Sequence, residues 1–223
     1  METKLIPDEP GHIGTDESGK GDFFGPLVVA AFFLPEGQEP VLRELGVRDC
    51  KKMSDNRVLE AADRLRRGYP YHSVVAVGPA KYNELYDKLR NLNRLLAWAH
   101  ARAIENILER LPVGMAVTDQ FGDERFVRQA LQKKGRTIEL VQRPRAEEDA
   151  AVAAASVLAR AEFLRRLEQL SAEVGFELPK GASQLVEEAA VRLVREKGAE
   201  ALATVAKMHF KTAGRVLGLA GAG

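Results

Sequence analysis

"GTDESGKGDFFGP", residues 14–26, decides how this chain is read. Gly14, Gly19 and Lys20 stand at G-x-x-x-x-G-K spacing, most of a phosphate-cradling loop. Such a loop needs a hydroxyl after the lysine to hold Mg2+, and a helix opening there to aim N–H groups at phosphate. Position 21 is Gly21, and "DFFGPLVV" follows, with Gly25-Pro26 leading into a β-type run. Asp16 and Glu17, inside the would-be cradle, would repel a bound triphosphate. A nucleotide loop is therefore disfavoured, and the two acids themselves become the feature to explain.

The flanking segments set the frame. "HIGTDES" is short and β-leaning, and "PLVVAAFFL" (26–34) is a continuous apolar run of the kind buried on both faces. The glycine-rich loop between them turns the chain back, giving an antiparallel pair with the acids at its corner. "SDNRVLEAADRLRRG" (54–68) predicts a helix with Ser54 as N-cap and Val58, Ala61, Ala62 and Leu65 on one face. "YHSVVAVG" (71–78) predicts a third strand. Residues 78–112 predict two helices or one broken helix, with an apolar stripe through Leu92, Leu95, Leu96, Ala99, Ala103, Ile107 and Leu111. "VGMAVTDQF" (113–121) predicts a fourth strand ending near Asp119, "DERFVRQALQKK" a helix and "TIELVQR" a fifth strand. An alanine-rich helix over 147–170 and helices over 181–198 and 199–218 complete the chain. Strands first, then strand–helix alternation, then helices, predicts an α/β layer with a helical C-terminal part.

Composition narrows the class. The chain has 223 residues, 45% hydrophobic and 29% charged, which suits one globular domain. No apolar run approaches the roughly 20 residues that span a bilayer, and "METKLIPDEPGH" has no apolar core of signal-peptide length. The single cysteine, Cys50, has no internal disulfide partner and suits a reducing cytoplasm. A net charge of +1 means that any polyanion must be bound through a local patch or through metal ions.

Asp16 near the end of the first strand and Asp119 near the end of the fourth come together if those strands are neighbours. Two carboxylates at adjacent strand ends make a hard oxygen site suited to Mg2+ or Mn2+. Carboxylates alone would exclude a phosphodiester; bridging dications reverse that sign, one activating water and the other stabilising the leaving oxygen. The glycines beside Lys20 let backbone approach a sugar and its 2′-OH. An Asp-Glu pair beside glycines is equally what a solvated turn contains, and spacing alone leaves both readings open.

Further segments bear on the choice. "GTDESGKGDFFGPLVVAAFF" resembles the first signature of the type 2 ribonucleases H, in its ribonuclease HIII form. In order along the chain, "DCKKMSD" (49–55), "KYNELYDKLRNLNRLLAWAHARAIE" (81–105), "TDQF", "RAEEDAAVAAASVLAR", "LPKGAS" and "AKMHFKT" are similar to the later motifs, so that the resemblance runs from residue 11 to about 214. It implies a single catalytic domain over residues 1–223, an α/β core to about 170 and a helical part beyond. The implied fold is RNase H-like: a five-stranded mixed β-sheet flanked by helices. It implies endonucleolytic cleavage of the RNA strand of RNA–DNA hybrids, leaving 3′-hydroxyl and 5′-phosphate ends, with a preference for longer RNA stretches. It implies a four-carboxylate site for two Mg2+ or Mn2+ ions, with Asp16, Glu17 and Asp119 on matching motif positions and Glu147 as the fourth. The spacing from Glu147 to Ser156 is about one residue short for the family, so Glu148 and, more remotely, Glu162 are alternatives. Ser18, Gly19, Lys20, Gly21, Lys51, Lys180 and His209 are the implied substrate contacts.

Three departures accompany the match. The first signature begins near residue 12, without the N-terminal substrate-binding domain usual in the family, which is expected to weaken hybrid affinity. Cys50 replaces a serine, and Arg145 replaces a lysine, keeping the charge but changing its geometry. Lys51, Lys52 and Lys180 are equally readable as solvated loop charges, and His209 as a packing residue. Trp98 and Tyr82 on helical segments are expected in the core rather than stacked on bases, and Arg64, Arg66 and Arg67 on a solvated face. A metal-dependent hybrid nuclease, a monomer in the cytoplasm, is the leading expectation. A catalytically weak hybrid-binding module and a phosphotransferase are the competitors; intact carboxylates count against the first and Gly21 against the second.

Overall fold

The structure, a computed structural model, describes residues 10–44, 46–47, 53–119, 124–131 and 138–220. Its strands are β1 (Gly11–Ser18), β2 (Leu27–Pro35), β3 (His72–Val77), β4 (Met115–Asp119) and β5 (Glu139–Arg143). Its helices are α1 (Glu39–Glu44), α2 (Asp55–Gly68), α3 (Pro79–Leu89), α4 (Leu92–Leu108), α5 (Glu124–Ala130), α6 (Ala150–Val174), α7 (Gln184–Lys197), α8 (Ala199–Val205) and α9 (Lys211–Ala220). The strands form one mixed five-stranded sheet in the order β3-β2-β1-β4-β5. β1 and β4 run parallel with Ile13 opposite Ala116, Gly14 opposite Val117 and Thr15 opposite Thr118. β4 and β5 run parallel from Met115 opposite Glu139 to Asp119 opposite Arg143. The expected sheet and flanking helices are thus present.

Successive side chains of a strand point to opposite faces. On one face Ile13 and Ala116 pack with Val29, Ala31 and Phe33 of β2 and with Ala103 and Ile107 of α4. On the other, Val117 packs with Ala146 and Val152. Gly14 allows the second contact. A Cβ there would land on the backbone of Ala151 and Val152, so α6 reaches β1 only over a bare glycine.

Several boundaries differ from those expected from the sequence. The helix stripe of α4 is buried as expected at Leu95, Leu96, Ala99, Ala103 and Ile107. The break between α3 and α4 falls where Arg90 adopts φ 48°. The alanine-rich helix starts at Ala150, after a 3-10 turn over Ala146–Glu148 that Arg145 enters at φ 54°. α1 had no sequence signal strong enough to announce it. The last helix is two, α8 and α9, because residues 206–210 leave the helical path: Ala206 makes an isolated bridge with Phe24, and Lys207 turns inward. Ser54 precedes α2 but makes no side-chain cap. Tyr82 is buried as expected, whereas Trp98 is 42% exposed, because its position on α4 lies off the buried stripe.

The chain separates into two compact units. The first comprises the described residues within Met1–Glu17, Val29–Val75 and Asn93–Ala161; the second comprises those within Ser18–Val28, Ala76–Leu92 and Glu162–Gly223. The second therefore takes up 18–28 and 76–92 together with the C-terminal helices, which the sequence pattern alone sets apart from about residue 171.

Candidate active site

The expected carboxylates Asp16, Glu17, Asp119 and Glu147 all belong to the first unit. Asp16 and Asp119 each follow a residue of the Thr15–Thr118 rung, Asp16 two residues before the end of β1 and Asp119 at the end of β4. Strand alternation puts both on the face that meets α6. Asp16 accepts a hydrogen bond from the Glu17 amide at 2.8 Å and is also hydrogen-bonded to Ser156 of α6. Burial, reinforced by the Glu17 charge, pushes the Asp16 carboxyl up to about 6, against the opposing pull of Ser156, the Glu17 amide and His100.

Glu17 lies on the opposite face and meets α4. Its carboxylate is 3.3 Å from Nε2 of His100, whose side chain is fully buried. The same ring places Nδ1 2.8 Å from Thr15 Oγ1 and 3.5 Å from Thr118 Oγ1. In the sequence His100 falls within a motif but carries no evident role. The available signal was an imidazole set within the apolar stripe of α4, where a buried polar ring must find partners.

Glu147 sits in the 3-10 turn after Ala146, whose amide donates to Asp119 Oδ1 at 3.4 Å. Glu147 lines an open cavity with His12, Arg43, Arg143, Glu148 and Asp149. Glu148 is 74% exposed, 3.9 Å from Arg145. Glu162 lies in the second unit and accepts from Arg166 at 2.8 Å. Asp149, which no sequence pattern singled out, anchors the start of α6. It accepts from His12 at 2.9 Å, from Arg143 at 3.2 Å and from the amides of Ala151 at 2.9 Å and Val152 at 3.3 Å. Burial raises its carboxyl, but the His12 hydrogen bond and charge and the two amides outweigh that and hold it below the usual range.

Among the described residues, no three His, Cys, Asp or Glu side chains already stand as a closed set of metal ligands. The donors at the strand ends are nonetheless oxygen-only, the chemistry that Mg2+ and Mn2+ prefer. The raised Asp16 carboxyl also marks a place where ionisation is costly until a cation neutralises it. The residues present therefore fit a hard dication.

The expected substrate contacts Ser18, Gly19, Lys20, Gly21, Lys180 and His209 lie in the second unit, and Lys51 lies outside the described residues. No helix follows Lys20; the chain turns through residues 19–26 into β2, which removes the phosphate-loop geometry. Gly19 holds φ +85°, and a Cβ there would land on the Pro26 carbonyl. Asp22 and Phe23 tie this loop to the "LPKGAS" segment: the Gly181 amide donates to Asp22 Oδ1 at 2.7 Å, and the Phe23 amide donates to the Gly181 carbonyl at 2.8 Å. Lys180, the neighbour of Gly181, is exposed, and Gly21 faces open space.

Lys207 clamps the far side of the loop. It is fully buried and donates to the carbonyls of Asp22 at 2.8 Å and Gly25 at 2.7 Å, with Phe24 O at 3.5 Å. Burial pulls its pKa down to about 7. Three carbonyls facing three N–H donors oppose that pull and favour the ammonium. His209 stacks on Tyr86 at 4.4 Å, and burial followed by the Lys207 charge lowers its pKa.

A family model for ribonuclease HII matches residues 13–213. The chain belongs to the ribonuclease HII family. Ribonuclease HIII of Protochlamydia amoebophila is 46% identical over 210 residues, covering 94% of this chain and 69% of that protein. Ribonuclease HIII of Chlamydia pneumoniae is 44% identical over 206 residues, covering 90% and 68%. Among solved structures, Bst-RNase HIII in complex with Mn2+ superposes with a TM-score of 0.87 at 33% identity, covering 96% of this chain and 71% of that one. Ribonuclease H2 from Pyrococcus horikoshii shares the fold, with a TM-score of 0.82 at 21% identity over 96% of this chain and all of its own. Membership in this family makes the chain a metal-dependent ribonuclease, a hydrolase. Among the described residues no helix is long and apolar enough to cross a membrane.

Proposed function

We propose that the chain is an endoribonuclease that cuts the RNA strand of RNA–DNA hybrids with the help of two Mg2+ or Mn2+ ions, leaving 3′-hydroxyl and 5′-phosphate ends. The observation that supports this reading is the Thr15–Thr118 rung, which Asp16 and Asp119 directly follow on neighbouring parallel strands. Asp16, Glu17, Asp119 and Glu147 would hold the ions. When bound, these supply positive charge that neutralises the scissile phosphate, activates the attacking water and stabilises the leaving oxygen.

The remaining work falls to the chain. Ser156 and the Glu17 amide hold the Asp16 carboxylate in place. The Ala146 amide does the same for Asp119 and ties the Glu147 turn to it. Ser18, Gly19, Lys20 and Gly21 form a loop whose open side at Gly21 admits close backbone approach to a ribose, where a 2′-OH distinguishes RNA from DNA. Lys180 and Lys51 supply charge for backbone phosphates, and the His209–Tyr86 stack supports the substrate side of the second unit. We place the enzyme in the cytoplasm as a monomer. A hybrid-binding module without catalysis is the weaker reading, since a pure binder of polyanions gains nothing from clustered carboxylates.

The test uses a hybrid with the RNA strand labelled at one end and then the other. The expected result is cleavage of RNA alone, only with Mg2+ or Mn2+ present, and products with 3′-hydroxyl and 5′-phosphate ends. Binding without cutting at any dication concentration would support the module instead.

A further inference from the structure

We propose that His100 is a positioning residue for the metal site: it fixes the Glu17 carboxylate and locks the β1–β4 rung from which Asp16 and Asp119 emerge. The inference rests on the assignment of those carboxylates made above. His100 is fully buried on α4, yet it is placed against polar groups from both strands. Thr15 and Thr118 are partners in the parallel register, and both of their hydroxyls converge on one ring nitrogen, Nδ1, at 2.8 and 3.5 Å. The residues next in sequence are Asp16 and Asp119. The other nitrogen, Nε2, lies 3.3 Å from Glu17 Oε2.

The hydrogen-bond pattern constrains the ring at both ends. A ring nitrogen facing a carboxylate oxygen must carry its hydrogen, so Nε2–H donates to Glu17. On a neutral ring Nδ1 then presents its lone pair and accepts from the Thr15 hydroxyl; on a charged ring it donates to that hydroxyl instead, and the contact is kept either way. Each end of the ring thus constrains a different part of the site. Nδ1 bridges the two strands one residue before their carboxylates, and Nε2 restrains the Glu17 side chain, which is 13% exposed. The arrangement has the logic of outer-shell partners at metal centres, which orient ligands without touching the ion and whose loss weakens metal affinity by roughly 10–100-fold.

Two substitutions separate the ends of the ring. The amide of His100→Gln reaches the position of Nε2 and can still donate to Glu17; that of His100→Asn reaches only the position of Nδ1. The readout is Mn2+ affinity by titration calorimetry on substrate-free protein, with hybrid cleavage against Mn2+ concentration as a second measure. The expected result is that Gln stays within about 3-fold of wild type and Asn binds Mn2+ roughly 10-fold or more weakly. Cleavage by the Asn variant should recover towards wild type at high Mn2+. Wild-type Mn2+ affinity in both variants would overturn the proposal, whereas a fall in Gln as well as in Asn would mean that the Nδ1 contact to the rung matters alongside the Nε2 contact to Glu17. Glu17→Gln, measured alongside, distinguishes the two failures. If Glu17→Gln leaves Mn2+ binding and cleavage intact, the carboxylate assignment is at fault; if it abolishes them while His100→Asn does not, the role of His100 is refuted.

Discussion

Thr15 of β1 lies directly opposite Thr118 of β4, and each is followed at once by an aspartate. Parallel neighbours are separated by about 4.8 Å in the hydrogen-bonding direction, so residues far apart in sequence become adjacent donors at one sheet end. Substitution of either aspartate should therefore be equivalent in kind. Asp16→Asn and Asp119→Asn are each expected to lower hybrid cleavage by more than about 100-fold, exceeding the loss typical of outer-shell partners. Steady-state assays at saturating Mn2+ check this. Retention of near-normal activity in either variant would remove that residue from the site.

The raised Asp16 carboxyl gives a signed pH dependence. Its folded value of about 6 lies above the ordinary 3.8, so the fold holds the proton more tightly than the unfolded chain does. The resulting stabilisation is complete below the ordinary value and is lost as pH rises through 6, amounting to roughly 3 kcal/mol at most. In chelator, thermal melts of wild type and Asp16→Asn from pH 3.5 to 8 should show the variant gaining relative stability as pH rises from about 4 to 6, with the difference level above that. Added Mg2+ should raise the wild-type melting temperature more at pH 8 than at pH 5. A difference between the two proteins that stays flat across this range would contradict the shift.

Gly14 and Gly21 form a matched pair of tests. A methyl group at Gly14 meets the backbone of Ala151 and Val152, whereas one at Gly21 meets nothing within 4 Å. Gly14→Ala is expected to cost about 1–3 kcal/mol or more, because backbone cannot yield as a side chain can. Gly21→Ala should leave the denaturation midpoint unchanged, so any rise in KM for hybrid would mean that the added methyl group obstructs the substrate there. An unchanged KM would exclude Gly21 from the substrate loop.

Lys207→Met keeps the length of the side chain but orphans the carbonyls of Asp22 and Gly25. A loss of about 2–5 kcal/mol is expected, from buried acceptors without donors. Lys207→Arg should not restore it, since a planar guanidinium does not match a compact ammonium's geometry. Urea denaturation of the three proteins decides the matter; full stability in Lys207→Met would show that the clamp is dispensable.

Much of this was legible in the sequence because the signals were local. The unbroken run from Leu27 to Leu34 declared a buried strand, and Gly25-Pro26 ruled out a helix after Lys20. The stripe of α4 could be read from its spacing, including the residues that now cover Ile13. The neighbouring of the strands that carry Asp16 and Asp119 could only be supposed from the sequence, because strand order is set by contacts between distant segments. What escaped depends on contacts between distant segments. His100 reads as an ordinary helical residue until Thr15, Thr118 and Glu17 surround it. Asp149 reads as one more acid in a run until His12 meets it. The break at residues 206–210 is invisible in a helical sequence pattern, because it is imposed by carbonyls near residues 22–25 that capture Lys207. Trp98 misled because size suggests burial, while its position on the helix dictates exposure.

Asp16 and Asp119 are expected to share a dication. Diffraction from crystals soaked in Mn2+, with anomalous differences recorded, tests it most directly. An anomalous peak is expected within coordination distance of both carboxylates, absent from Asp119→Asn crystals. At Mn2+ concentrations that support cleavage, a peak elsewhere with none between these two side chains would contradict it.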